Sequence, residues 1–247
     1  MSVSSNSKLN SPIKLYVFDK AYGLRQVGPF CAKLEMLFTS LDVPFEQILL
    51  KREHIGLNPK AKTPFVEIDG EIITDSEVIT HHVDGLLDGK IFEGLSSQQR
   101  SQGLALARLA EEHLYWIMVH ARWANDEYWE NTIRPAWYPS LVQTLEEADM
   151  LRKVMLDEIY YQGLGRHTRE ELEGFARRDL DALQDALPEH GYLFGETPCI
   201  YDFAITCITA GIYDNIPTWV TSVAEEYKEL HKYTERVQEH VGVYMRK

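Results

Sequence analysis

The stretch from Asn58 to Glu77 constrains the fold more than any other part of the chain. Phe65-Val66-Glu67-Ile68 and Glu71-Ile72-Ile73-Thr74 read as two short strands, and Asp69-Gly70 between them is a two-residue hairpin signal. Asp75-Ser76 then supplies two N-cap residues ahead of Val78 and Ile79, which begin a helical pattern. A helix starting there points unpaired N–H groups and a positive dipole end outward, a setting that suits a carboxylate ligand. Thr63-Pro64 is a candidate cis bond, which would turn the backbone before it outward, where a peptide could pair with it.

The flanking sequence completes a unit around this hairpin. Ile13 to Phe18 reads as a first strand. Phe30, Leu34, Leu37, Phe38 and Leu41 give a helix with one apolar face, and Phe45 to Leu50 a second strand. The crossover between two parallel strands is right-handed. With the hairpin and a helix from Ser76 to about Leu87, the order is βαβ-ββα. Residues 1–12 are expected to form a loose tail, 13–90 the α/β domain with its linker, and 91–247 an all-helical domain. Within the last, Leu104, Leu109, Trp116 and Trp123 mark one long helix, Leu145 to Tyr161 another, and Thr168-Arg169-Glu170-Glu171 a capping box. Further helices are expected after Pro198, after Pro217 and from His231 to Met245.

The net charge of −13 argues against a nucleic-acid partner, and no run approaches a membrane span. The expected setting is the cytoplasm. Residues 13–90 hold nine Lys/Arg against twelve Asp/Glu, so nearly all of the acidic surplus belongs to the helical part. Cys31, Cys199 and Cys207 match neither a metal spacing nor an even disulfide framework, and are read as reduced thiols. No metal or cofactor is expected. His81 and His82 are adjacent on a helix and face apart, while His113 and His120 lack a recognisable third ligand.

Proline, hairpin and acidic-Ser helix cap in this order resemble the glutathione site of the glutathione transferase superfamily. The resemblance implies a thioredoxin-like N-terminal domain plus an all-α C-terminal domain. It places the Thr63 backbone, before Pro64, against the cysteinyl part of glutathione. Asp75 and Ser76 would hold the γ-glutamyl end, Lys62 would lie near the glycine carboxylate, and Arg25 is a further candidate contact. Glu111-Glu112-His113-Leu114-Tyr115-Trp116, Gly163-Leu164-Gly165-Arg166-His167-Thr168 and Tyr192-Leu193-Phe194-Gly195 resemble the failed-axon-connections and metaxin-like branch. A homodimer is expected from the same resemblance.

In this superfamily the catalytic group lies between the first strand and first helix. Gly28-Pro29-Phe30-Cys31 resembles a Cys-Pro-Phe/Tyr-Cys redox motif whose nucleophilic first cysteine is replaced by glycine. Cys31 reads as a buried small hydrophobe. Tyr22 is then the best hydroxyl for stabilising a glutathione thiolate, Tyr16 being read as packing. The expected activity is conjugation of glutathione to an apolar electrophile, or its removal. The alternatives are a non-catalytic binding scaffold and, third, thiol-disulfide reduction through Cys31. The cluster Tyr115, Trp116, Trp123, Tyr128, Trp129, Trp137 and Tyr138 reads as core or dimer interface before co-substrate pocket. Finally, Cys199-Ile200-Tyr201-Asp202 puts a thiol where the family's helical capping box has Ser or Thr.

Overall fold

The structure, a computed structural model, describes residues 9–21, 23–137, 141–214 and 217–246. Its sheet has four strands in the order β2-β1-β3-β4: β1 (Ile13–Val17), β2 (Phe45–Leu49), β3 (Phe65–Ile68) and β4 (Glu71–Thr74). β1 runs parallel to β2 and antiparallel to β3. Ile13, Leu15 and Val17 on one face and Tyr16 on the other are buried, as a central strand covered on both faces requires. The parallel connection is made by α1 (Pro29–Ser40), whose Leu34, Leu37 and Phe38 are buried on the predicted face. The hairpin turns at Asp69 and Gly70 with φ of 49° and 88°, the two left-handed residues that match the strand twist.

α2 (Ser76–Leu86) follows β4 directly. A short 3₁₀ turn, Arg52–Leu57, precedes the hairpin, and another, Lys90–Phe92, leads to the helices. These begin with α3 (Ser97–Arg108) and α4 (Tyr115–Trp123). The sequence pattern marks these as one helix. The path is continuous, but a π-helical turn at Leu109–Leu114 takes in an extra residue and shifts the register of the helix that follows it. The short α5 (Asp126–Tyr128) and α6 (Arg134–Trp137) flank a second π turn. Then come α7 (Leu145–Gln162), α8 (Arg169–Ala186), α9 (Ile200–Tyr213), α10 (Trp219–Ala224) and α11 (Lys228–Val241). This is a thioredoxin-like unit joined to an all-helical one.

α9 is the axis of the helical part. Every residue from Ile200 to Ile212 is buried, the pattern of a helix apolar on all sides. Side chains such as Phe203, Ile205 and Ile208 each contribute about 1.5–3 kcal/mol by leaving water. α3 crosses α9 so closely that a Cβ at Gly103 would overlap the Tyr201 ring. α1 also packs on α9, so the two units share one continuous core. A buried ion pair, Lys33 Nζ to Glu111 Oε1 at 2.5 Å, ties α1 to the π turn.

Candidate functional site

The hairpin register assembles the candidate site. Phe65 pairs with Thr74 across the antiparallel β3–β4 ladder. The ladder ends at that pair, so the Thr63–Pro64 and Asp75–Ser76 segments both leave the same end of the hairpin. The Thr63–Pro64 bond is cis, as expected. Among the described residues neither the N–H nor the C=O of Thr63 has a hydrogen-bond partner. Thr63 itself is half-buried.

Asp75 caps α2 from an unusual backbone, with φ of 81° in a residue other than glycine. Its Oδ1 accepts from the N–H of Glu77 at 2.9 Å and of Val78 at 3.2 Å. Ile79 N–H bonds the Asp75 carbonyl at 2.9 Å. The first turn is thereby satisfied except at Ser76, whose N–H and hydroxyl lack partners among the described residues. Ser76 is mostly buried and Asp75 exposed. The combination offers an unfilled donor pair at the positive end of α2, beside a carboxylate with one oxygen to spare.

Lys62 adjoins this edge, and its position is set by a residue the sequence reading missed. Asn58, only 5% exposed, donates from Nδ2 to the Lys62 carbonyl and accepts from Lys60 N–H at 2.8 Å. The Asn-Pro pair at the loop's start is the signal that could have found it. Lys62 Nζ reaches Glu158 Oε2 of α7 at 2.5 Å. Arg52 makes a parallel tie to Glu147 of the same helix.

Arg25, a candidate ligand contact, is paired within the protein. Its guanidinium forks onto Glu35, at 2.9 and 3.0 Å, and its Nε donates to the Tyr244 carbonyl at 2.9 Å. Its backbone N–H and that of Gln26 both donate to the Met245 carbonyl. These bonds tie the loop to α1 and to the C-terminal segment. Tyr22 lies outside the described residues. Tyr16 is buried, stacks on Phe65 at 4.3 Å and places its hydroxyl 3.4 Å from Glu67, which makes it a packing residue.

The loop before α1 ends at Gly28, whose N–H donates to the buried Gln26 side chain at 3.1 Å. A Cβ on Gly28 would lie 3.0 Å from Cys31 Sγ. Cys31 therefore occupies the second position of the redox motif, without its partner. Burial, reinforced by Glu35, pushes its thiol well above the ordinary value. A thiol held neutral is a poor nucleophile. Phe30 contacts Tyr115 edge-on at 4.9 Å, and burial pushes the Tyr115 phenol up to about 12. Beside the loop, Phe18, Asp19, Lys20, Ala21, Val27, Ala136, Trp137 and Leu141 line a cavity of about 50 Å³. Of the aromatic cluster, Trp123 and Trp129 are core, Trp137 meets Phe18 at 5.0 Å over this cavity, and Tyr138 lies outside the described residues.

His81 stacks on Phe92 at 5.3 Å. His113 Nδ1 sits 2.6 Å from the Asp179 carboxylate, a partner on α8 that linear spacing did not reveal.

The chain belongs to the glutathione S-transferase family. Residues 29–128 match its N-terminal domain and residues 176–237 its C-terminal domain. An isoprene-epoxide glutathione S-transferase from Rhodococcus sp. (strain AD45) is 30% identical over 245 residues, covering 94% of this chain and all of that protein. The Failed axon connections protein of Drosophila melanogaster is 25% identical over 219 residues, covering 81% of this chain and 50% of that protein. Among solved structures, the β-etherase LigF from Sphingobium sp. strain SYK-6 superposes with a TM-score of 0.62 at 16% identity, over 92% of this chain and 95% of the other. The glutathione transferase GSTFuA3 from Phanerochaete chrysosporium reaches 0.64 at 13% identity, over 93% and 97%. Both likenesses are of fold. Among the described residues no helix is long and apolar enough to cross a membrane.

Proposed function

We propose that this protein binds glutathione along the Thr63–Ser76 edge and transfers it to a small apolar electrophile, acting as a cytoplasmic homodimer. The observation that carries the reading is the unpartnered backbone of Thr63 at the hairpin end from which the unfilled Ser76 donors also leave. The cysteinyl amide and carbonyl of glutathione would pair with Thr63 as a short antiparallel strand. The γ-glutamyl carboxylate would take the N–H and hydroxyl of Ser76, and its ammonium the free oxygen of Asp75. Lys62 would meet the glycine carboxylate.

Held this way, the glutathione thiol faces the start of α1, where Phe30 N–H has no partner among the described residues. A helix N-terminus favours the thiolate over the thiol. Tyr22 remains the candidate hydroxyl donor in the same loop. The name of the Rhodococcus relative supports an epoxide as the electrophile. Thiolate attack on a ring carbon forms the C–S bond, breaks the C–O bond and leaves an alkoxide that takes up a proton. The cavity at Phe18 and Trp137 would seat the apolar end.

A second reading, a binding protein without catalysis, draws support from Gly28 in place of a nucleophile and from the inert Cys31. Calorimetric titration with glutathione, alongside the Asp75→Asn, Ser76→Ala double variant, tests the site. Binding lost in the variant supports it, and no binding at millimolar glutathione refutes it. Turnover of a small epoxide by the wild type then separates enzyme from binder.

A further inference from the structure

Three cations that could serve an anionic ligand here are already held by carboxylates: Arg25 by Glu35, Arg52 by Glu147 and Lys62 by Glu158. The third pair stands where the glycine end of glutathione would arrive. Glu158 is also close enough to Tyr115 for its charge to raise that phenol, and Tyr115 touches Phe30 at the start of α1. Glu158 therefore lies within electrostatic range of both the Lys62 side chain and Tyr115. The Lys62 backbone is fixed through Asn58, so only its side chain can change partner. Its side chain is 56% exposed and that of Glu158 30%, which leaves the pair open to an entering solute.

We propose that Glu158 is an internal competitor for Lys62, occupying its ammonium until the glycine carboxylate of glutathione takes its place. The inference rests on the glutathione reading of the Thr63–Ser76 edge. Two carboxylates cannot share one ammonium without repelling each other, so glutathione binds more weakly than the site would otherwise allow. Displacement also frees one of the two ion-pair ties that join α7 to the thioredoxin-like unit among the described residues, the Arg52–Glu147 tie remaining. Glu158 thus determines affinity at one end of the peptide only. Ligands uncharged at that end escape the competition.

The test is calorimetric titration of wild type, Glu158→Gln, Lys62→Met and the double variant. Two probes are used: glutathione, and glutathione whose glycine carboxylate is converted to the amide. An exposed pair of this kind implies that Glu158→Gln binds glutathione about two- to fivefold more tightly. The amide should bind wild type and Glu158→Gln equally. In the Lys62→Met background the gain from Glu158→Gln should vanish. If wild type binds both probes and Glu158→Gln binds glutathione no better, the inference falls while the site reading stands. An equal gain for the amide also overturns it, because the competition must be for a carboxylate. If wild type binds neither probe, both fall.

Discussion

Replacing Cys199 by serine should make this protein more stable, although it removes an apolar atom from a largely buried position. Cys199 is the N-cap of α9, and its partner Asp202 is fully buried. Asp202 Oδ1 accepts from Leu193 N–H at 2.9 Å and from the Tyr233 hydroxyl. Its Oδ2 accepts from Cys199 N–H at 2.8 Å and from the Cys199 thiol at 3.0 Å. Of these four donors the thiol is the weakest. A hydroxyl donating to a carboxylate contributes about 1.5–3 kcal/mol, and a helix cap of Ser over a residue that cannot cap typically ~1 kcal/mol. Against this, the buried sulfur loses roughly 0.5–1 kcal/mol of transfer free energy. The shorter C–O bond also draws the donor back slightly. Because the thiol already makes a weaker form of this bond, only about 1.5 kcal/mol of that is new, and the balance is a gain of about 0.5–1 kcal/mol, or ~1–4 °C in midpoint for a chain of this size. Urea unfolding followed by circular dichroism measures it, with Cys199→Ala as the control that loses the side-chain bond and should fall below wild type. A serine variant whose midpoint equals or trails the wild type would falsify the reasoning. It would mean that the box is already saturated by the backbone N–H.

The remaining expectations are briefer. Gly103→Ala should destabilise by about 1–3 kcal/mol, the cost of overpacking against Tyr201 exceeding the ~1 kcal/mol that alanine normally gains in a helix; a stabilised variant would show that α3 can move off α9. Cys31 should resist alkylation in the native protein and react only after unfolding, as its burial and raised thiol require. Gly28→Cys should form a disulfide with Cys31 under mild oxidation, because the 3.0 Å from the new Cβ to Sγ is the spacing a Cβ–S–S angle imposes; mass spectrometry after oxidation reads it, and two free thiols would count against it. Asp179 is raised above 3.8 by burial, partly offset by His113. The folded protein holds that proton more tightly than the unfolded chain, so the contribution favours folding below about pH 4 and is lost as pH climbs through the folded value. Asp179→Asn should flatten that part of the stability–pH curve, and an unaltered curve would refute the assignment.

How much could be read from the sequence depended on the range of the interactions. The hairpin, its Asp69-Gly70 turn and the Asp75 cap of α2 follow from neighbours within four residues, and they appeared as expected. The same holds for the Thr168–Glu171 box that opens α8. The π turn at Leu109–Leu114 was not legible, since a one-residue slip leaves both halves of the pattern helical. Nor were the partners of the charges. Lys62 and Glu158 lie 96 residues apart, Lys33 and Glu111 78 apart, and no local pattern pairs them. The partners of Arg25 were hidden for the same reason: Tyr244 lies 219 residues away, and only the fold brings it and Glu35 beside the guanidinium.

That far end has a consequence for how the protein is made. Arg25 and Tyr244, joined by a hydrogen bond, are 219 residues apart, and the backbone of Arg25 and Gln26 is completed only by the carbonyl of Met245. During synthesis the sheet and α1 can emerge and fold early. The loop between them cannot close until residue 245 has left the ribosome. The site's scaffold is therefore among the first parts of the protein to exist, and the loop beside it among the last to be finished, so a nascent chain stalled short of α11 would carry the hairpin edge without the support of its neighbouring loop.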